Sequence, residues 1–295
     1  GEAEKRIAGK LIELKTFFTL VYGRIDGQNG LFHFVDCGHT SVIHYEKSSG
    51  RCWRLKGANA PIGFLPKQDF IEYTVPIAKD DILFMYSDGI TEATDSEGKQ
   101  FGEDRLMKLI RSSAGLGAAE LLEKIKLISF AYAAGDFKDD ITGIIVKMAT
   151  SSKSITGSSR NFPQSIASLH VIQNFFSNCI GDHLTGLTSS ETRDALLLAT
   201  GEAASNIFKH NDLDQKHKCA ASFRMTDGWV AFTLYYHGAD YDWQEWSLPR
   251  IETFQTSGYG LYIMGEVMDS VTVSAGEDGI LRMSMFFQLD PGKLV

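Results

Sequence analysis

The chain has 295 residues, enough for two ordinary domains that each bury a core. With 43% hydrophobic and 22% charged residues it has a normal globular composition, and a net charge of −8 excludes an extended nucleic-acid surface, which needs clustered Lys and Arg to displace counterions. No apolar run approaches the roughly 20 residues that span a bilayer, and no stretch here is expected to act as a signal peptide, with an upstream sensor, receiver or membrane segment left open.

Four cysteines, Cys37, Cys52, Cys179 and Cys219, show no CxxC or other metal spacing. Scattered thiols of this kind predict free cysteines in a reducing cytoplasm rather than a disulfide framework.

In chain order, residues 2 to 15 place Ile7, Leu11 and Leu14 on one stripe and predict an amphipathic packing helix. FFTLVYGRID predicts a strand, the Gly27-Gln28-Asn29-Gly30 turn reverses it, and LFHFVDC returns as its hairpin partner. Residues 41 to 45 and 51 to 56 form the next pair across Lys47-Ser48-Ser49-Gly50. His39 is read as a structural turn residue, because no partner ligand lies at metal spacing.

ILFMYSDGITEA, residues 82 to 93, organises the first half: five apolar or aromatic residues predict a buried strand, and Ser87-Asp88-Gly89 leaves a carboxylate at its tip. Residues 103 to 111 and 117 to 134 have helical periodicity, and Lys138-Asp139-Asp140-Ile141-Thr142 then puts two carboxylates before a second apolar run, 143 to 148. Each Asp alone is an ordinary turn residue; together, two acidic strand tips can converge on one hard cation, since Mg²⁺ and Mn²⁺ prefer carboxylate oxygen.

Residues 149 to 160, ATSSKSITGSSR, are Ser-rich with few apolar side chains and predict a linker. The expected organisation is a first domain over 1–149, a linker over 150–163 and a second domain over 164–295. Helices are expected over 165 to 180 and 190 to 210, with strands over 220 to 225, 230 to 236, 271 to 274 and 281 to 288, giving helices on one face of a mixed sheet. Glu202, Asn206 and His210 recur at four-residue steps and share one helix face, either as a solvated polar stripe or as a grip on a ligand. Gly258-Tyr259-Gly260-Leu261 precedes a helix-like run ending at Met268, and glycines at a helix amino terminus suit phosphate binding through exposed N–H groups.

The SDGITEA segment, the upstream Asp36-Cys37-Gly38-His39-Thr40 and the Gly-Ala-Asn-Ala-Pro-Ile-Gly-Phe stretch at 57 to 64 resemble, in this order, the metal-dependent serine/threonine phosphatases of the bacterial sporulation and stress-response type, relatives of the type 2C phosphatases. The resemblance implies an α+β fold with a phosphatase β-sandwich flanked by helices, and hydrolysis of phosphoserine or phosphothreonine at a Mn²⁺ or Mg²⁺ pair. Asp88 and Asp139 match the family's metal aspartates, Asp140 is their neighbour, and Gly89 allows close backbone contact beside the metals. The family's Asp-x-Ser-Gly-His-Gly segment, which supplies other ligands, has no counterpart, and Asp26 is read as a hairpin-turn residue. The expectation is a chain that begins inside a phosphatase domain, with an incomplete metal centre.

EAASNIFKH, YYHGADYD and SGYGLYIMGEVMDSV resemble the nucleotide-binding boxes of anti-sigma-factor serine kinases, of the histidine-kinase-like ATPase fold, over about residues 165 to 290. This implies ATP with Mg²⁺ as cofactor, Glu202 as the general base that orients the acceptor serine, Asn206 on the Mg²⁺, Gly258 and Gly260 in the lid over the phosphates, and Gly238 as a further cofactor-binding residue in the adenine box. One departure stands out. The family's adenine-binding Asp is replaced by Tyr236, and losing a charge-assisted contact costs about 1.5 to 3 kcal/mol, roughly one to two decades in affinity. Together the two resemblances imply a cytoplasmic partner-switching regulator acting on a STAS-type anti-sigma-factor antagonist, or a docking module for the antagonist or a sigma factor. Neither nucleic acid nor membrane is an expected partner of this stretch, and a homodimer stays open.

Overall fold

A computed structural model describes residues 2–133, 139–149, 156–211, 217–238 and 259–289. Helix α1 (Glu2–Glu13) leads into the hairpin of β1 (Leu20–Asp26) and β2 (Leu31–Cys37). Asp26 makes that turn: its carboxylate accepts the N–H groups of Gln28 at 3.1 Å and Asn29 at 3.0 Å and the Asn29 side-chain amide at 2.7 Å. Gly30 completes it at φ +66°, a conformation that favours glycine.

A strand absent from the sequence reading, β5 (Tyr73–Pro76), adds to β2 and makes a three-stranded antiparallel sheet. Its four residues end in proline, too short a run to show a period.

The second layer of the first unit contains β3 (Val42–Glu46), β4 (Arg51–Leu55), β6 (Ile82–Tyr86) and β7 (Gly143–Lys147), in the order β7-β6-β3-β4. Strand alternation divides its side chains between two cores. Ile43, Tyr45, Phe84 and Tyr86 meet Leu106, Met107 and Ile110 of α2 (Glu103–Ser112) and Leu121 and Ile125 of α3 (Ala118–Tyr132). Val42, Trp53, Leu55 and Leu83 face Phe32, Phe34 and Val75 of the small sheet. The result is a β-sandwich with helices on one side.

The second unit puts α4 (Ala167–Leu184), α5 (Ser190–His210) and α6 (Tyr259–Val267) on one face of β8 (Thr156–Pro163), β9 (Lys218–Met225), β10 (Trp229–His237), β12 (Ile280–Gln288) and β11 (Ser270–Gly276). Ser189 caps α5 by accepting the Thr192 N–H at 3.1 Å. The described strands pair antiparallel throughout, not as the mixed sheet expected. Short connections at 226–228 and 277–279 make hairpins, and hairpins are antiparallel.

The expected linker also needs correction. Residues 156–163 are not a connector: β8 pairs with β9 through eight registered residue pairs, from Thr156↔Met225 to Pro163↔Lys218. Its polar side chains misled, because an edge strand is ordered by backbone hydrogen bonds, with Phe162 alone reaching the apolar core.

The two units share one nine-stranded sheet, joined where β4 pairs with β11 at Arg54↔Ala275 and Trp53↔Gly276. Behind this join lies a charge cluster the sequence reading missed. Buried Glu46, at the end of β3, faces Arg224 of β9 at 3.2 Å and Arg282 of β12 at 4.0 Å. Arg282 lies 4.8 Å over the Trp53 ring, and Tyr235 donates to Glu46 at 3.2 Å. Burial alone would raise the Glu46 carboxyl, but Arg224 and Arg282, helped by His44 and the Ser49 hydroxyl, hold it down at about 2.

All four cysteines are free and buried. Among the described residues no helix is long and apolar enough to cross a membrane.

Candidate functional site

The two acidic strand tips of the first unit come together. Ser87, just past β6, donates its hydroxyl to the Asp140 carbonyl at 2.9 Å and accepts the Thr142 N–H at 2.8 Å, while its own N–H reaches the Thr142 carbonyl at 3.0 Å. Gly89 packs on the same segment: a Cβ there would lie 2.5 Å from the Asp140 carbonyl oxygen, so only glycine allows this approach. Asp88 opens a single 3-10 turn, Asp88–Ile90, and the Asp139 carboxylate accepts the Asp140 N–H at 2.8 Å. Asp88, Asp139 and Asp140 are all exposed.

These aspartates offer the hard oxygen donors that Mg²⁺ or Mn²⁺ prefers. Among the described residues, however, no group of three or more His, Cys, Asp or Glu side chains comes together to hold a metal. These exposed carboxylates do not gather into a complete donor set, so no hydrolytic step follows from these residues alone. Two nearby candidates are structural. His39 bonds Thr19 at 3.1 Å and gives its N–H to Asp36 at 3.0 Å; Asp36, whose carboxyl is pushed up by burial, also accepts the Gly57 N–H at 2.9 Å.

In the second unit, Glu202 and Asn206 lie half-buried one turn apart on α5, and buried Gly260 brings the start of α6 against both. A Cβ on Gly260 would sit 2.6 Å from Glu202 Oε2 and 3.2 Å from Asn206 Nδ2. A carboxylate, an amide and a helix amino terminus thus converge without an intervening side chain. Gly238 lies apart from these three, at the carboxy-terminal end of α5, where a Cβ would meet Asn211 Oδ1 at 2.2 Å. Its N–H points to the Gly279 carbonyl at 3.4 Å. Gly258, Asp240 and the His210 side chain lie outside the described residues.

Tyr236 is buried in the second core, in register with Leu281. The β10 alternation that turns Phe232 and Leu234 toward the helices turns Tyr236 the same way, filling the position of the family's adenine-binding Asp with an aromatic ring. Among the described residues, Glu202, Asn206 and Gly260 offer groups suited to a Mg²⁺-phosphate, while Tyr236 offers a ring where the resemblance expects a carboxylate.

Glu202 also lines a cavity of about 550 Å³ between α4 and α5, with His170, Gln173, Asp194 and Ser205. The sequence reading overlooked it, although His170, Gln173 and Asn174 at i, i+3 and i+4 mark a polar stripe on an otherwise apolar helix.

The family model described as stage II sporulation protein E (SpoIIE) matches residues 2–149. The chain belongs to the SpoIIE family. Following this SpoIIE unit, residues 162–285 match the model described as histidine kinase-like ATPase domain. Among curated proteins, the chain is similar to protein IcfG of Synechocystis, 31% identical over 135 residues, covering 45% of this chain and 21% of IcfG. It is also similar to the phosphoserine phosphatase RsbU of Bacillus subtilis, 22% identical over 142 residues, covering 48% of this chain and 42% of RsbU. The chain therefore spans less than half the length of either relative. Solved structures with likeness include the RsbU and RsbW domains of a Mycobacterium tuberculosis protein, at TM-score 0.41 and 13% identity over 98% of this chain and 74% of that one. The SiaA-PP2C domain of Pseudomonas aeruginosa gives TM-score 0.44 and 22% identity over 50% and 58%.

Proposed function

We propose that the chain is a cytoplasmic partner-switching regulator that removes phosphate from, and transfers phosphate to, a serine or threonine of a STAS-type anti-sigma-factor antagonist. The observation that carries this reading is the contact of Gly260 with Glu202 and Asn206, which places a carboxylate and an amide at the mouth of a helix amino terminus. The pairing of a SpoIIE unit with an ATPase unit supports it, as does the name of the B. subtilis relative, a phosphoserine phosphatase.

In the transfer direction, Asn206 would hold the Mg²⁺ of a bound ATP, which would supply the phosphoryl group and leave as ADP. Glu202 accepts the proton of the acceptor hydroxyl, and the α4–α5 cavity beside it receives the segment carrying that hydroxyl. In the removal direction, Asp88 and Asp139 would contribute carboxylates to a Mn²⁺ or Mg²⁺ centre, and no third His, Cys, Asp or Glu joins them among the described residues. The test is transfer of labelled phosphate from ATP to the antagonist: it should occur with the wild-type chain and be lost in Glu202→Ala. Unchanged transfer in that variant removes Glu202 as the base.

A second reading rests on Tyr236. With its ring in the core where the adenine contact is expected, the second unit acts as a docking surface for the antagonist or a sigma factor without nucleotide turnover. Binding of the antagonist in the absence of any ATP binding would select it.

A further inference from the structure

The ATPase sheet has a second face, turned away from α4, α5 and α6, and strand alternation makes it unusual. Along β9 it carries Lys218, Ala220, Ser222 and Arg224, and along β10 Tyr235 and His237. Part of this face is covered by the β3–β4 hairpin of the SpoIIE unit, whose Glu46 meets Arg224 through one guanidinium nitrogen, Nη2. Beside that contact lies a cleft of about 660 Å³. Arg51 of the hairpin lines it together with Lys218, Arg224 and His237 of the ATPase sheet, and Ser222 and Asn161 add a hydroxyl and an amide to the lining.

Three permanent cations line the cleft and, among the described residues, no carboxylate does, in a chain whose net charge is −8. Glu46 does not line the cleft: its Oε2 accepts from Trp53, Tyr235 and Ser49, and its Oε1 lies 3.2 Å from Arg224 without a hydrogen bond. Glu46 already answers Arg224, and a monocarboxylate would answer only one of the other two cations, Arg51 and Lys218. A phosphate group carries up to two charges on three oxygens, and forked guanidinium, ammonium and hydroxyl donors match it. The volume falls in the range of about 300 to 1,000 Å³ that small organic ligands occupy.

We propose that this cleft is a binding site for a small phosphate-bearing metabolite, held by Arg51 from the SpoIIE unit and by Lys218 and Arg224 from the ATPase unit. Such a ligand bridges the two units and lies on the opposite face of the sheet from Glu202, so it is separate from the nucleotide site proposed above.

The test is calorimetric titration of the full chain with inorganic pyrophosphate, free of divalent metal and at constant ionic strength, with sodium chloride as the matched control. Saturable binding is expected in the wild type and in Glu202→Ala. The Arg51→Ala/Lys218→Ala double variant should bind about tenfold or more weakly. Lys218 is exposed, so Lys218→Glu alone should keep the wild-type melting temperature and show the same weakening. Heats no larger than the chloride control, affinity unchanged by Lys218→Glu, or loss of binding in Glu202→Ala would each overturn the proposal.

Discussion

Gly260 lies so close to Glu202 that a methyl group on its Cα would be 2.6 Å from Oε2, the free end of a flexible side chain. Gly260→Ala should therefore displace the carboxylate rather than unfold the helix. The expected result is a melting temperature within a few degrees of wild type and a loss of phosphate transfer of about tenfold or more. Thermal melts and a transfer assay on one preparation check both halves of this expectation.

Tyr236→Asp puts back the carboxylate that the adenine contact calls for. If the remainder of the pocket is intact, Mg-ATP affinity should rise by about one to two decades, reflecting a charge-assisted hydrogen bond of about 1.5 to 3 kcal/mol. Mg-GTP, which presents no amino group at that ring position, should gain much less. Equal gains for both nucleotides would place the adenine elsewhere. The variant gives up a buried ring, so a lower melting temperature without nucleotide is part of the expectation.

Glu46 makes a pH-dependent contribution to stability. Its folded value of about 2 lies below the ordinary 4.5, so its contribution is fully present above about pH 4.5 and is lost as pH falls toward 2. Glu46→Gln leaves Arg224 and Arg282 buried without their counter-charge and should cost about 3 to 5 kcal/mol at neutral pH. Denaturant unfolding between pH 5 and pH 2 should show a steeper loss for the wild type than for the variant. Parallel curves would mean that Glu46 does not carry the effect.

Most of the fold was legible because its elements are locally consistent. Strand β6 has five apolar or aromatic residues and an abrupt SDG stop, and α5 has a Ser cap followed by 21 helical residues, so both were readable at their observed bounds. Strand β8 was not, because an edge strand draws its order from a partner's backbone, which composition does not encode. Of the candidate site, helix period puts Glu202 and Asn206 on one face of α5 and strand-end position puts Asp88 and Asp139 at two tips, while the link of Gly260 to Glu202 and Asn206 comes from the family resemblance and not from spacing. The Glu46 cluster could not be read. Its partners Arg224 and Arg282 are remote in sequence, and β3 is buried along all five residues, so no alternation marks Glu46 as different.

The acidic tips predict weak metal binding. With exposed aspartates at 88, 139 and 140 that do not gather into a three-residue ligand group among the described residues, Mn²⁺ should saturate only at about millimolar concentration and broaden the NMR signals of residues near 88 and 139. Asp88→Asn and Asp139→Asn should each abolish the broadening. Tight binding that survives both substitutions would place the metal elsewhere.

The most direct single measurement is titration of the full chain with Mg-ATP, compared with Asn206→Ala. Saturable binding to one site, weakened about tenfold or more in Asn206→Ala, is the predicted result. No binding by the wild-type chain, or equal binding by both, would contradict a nucleotide site between α5 and α6.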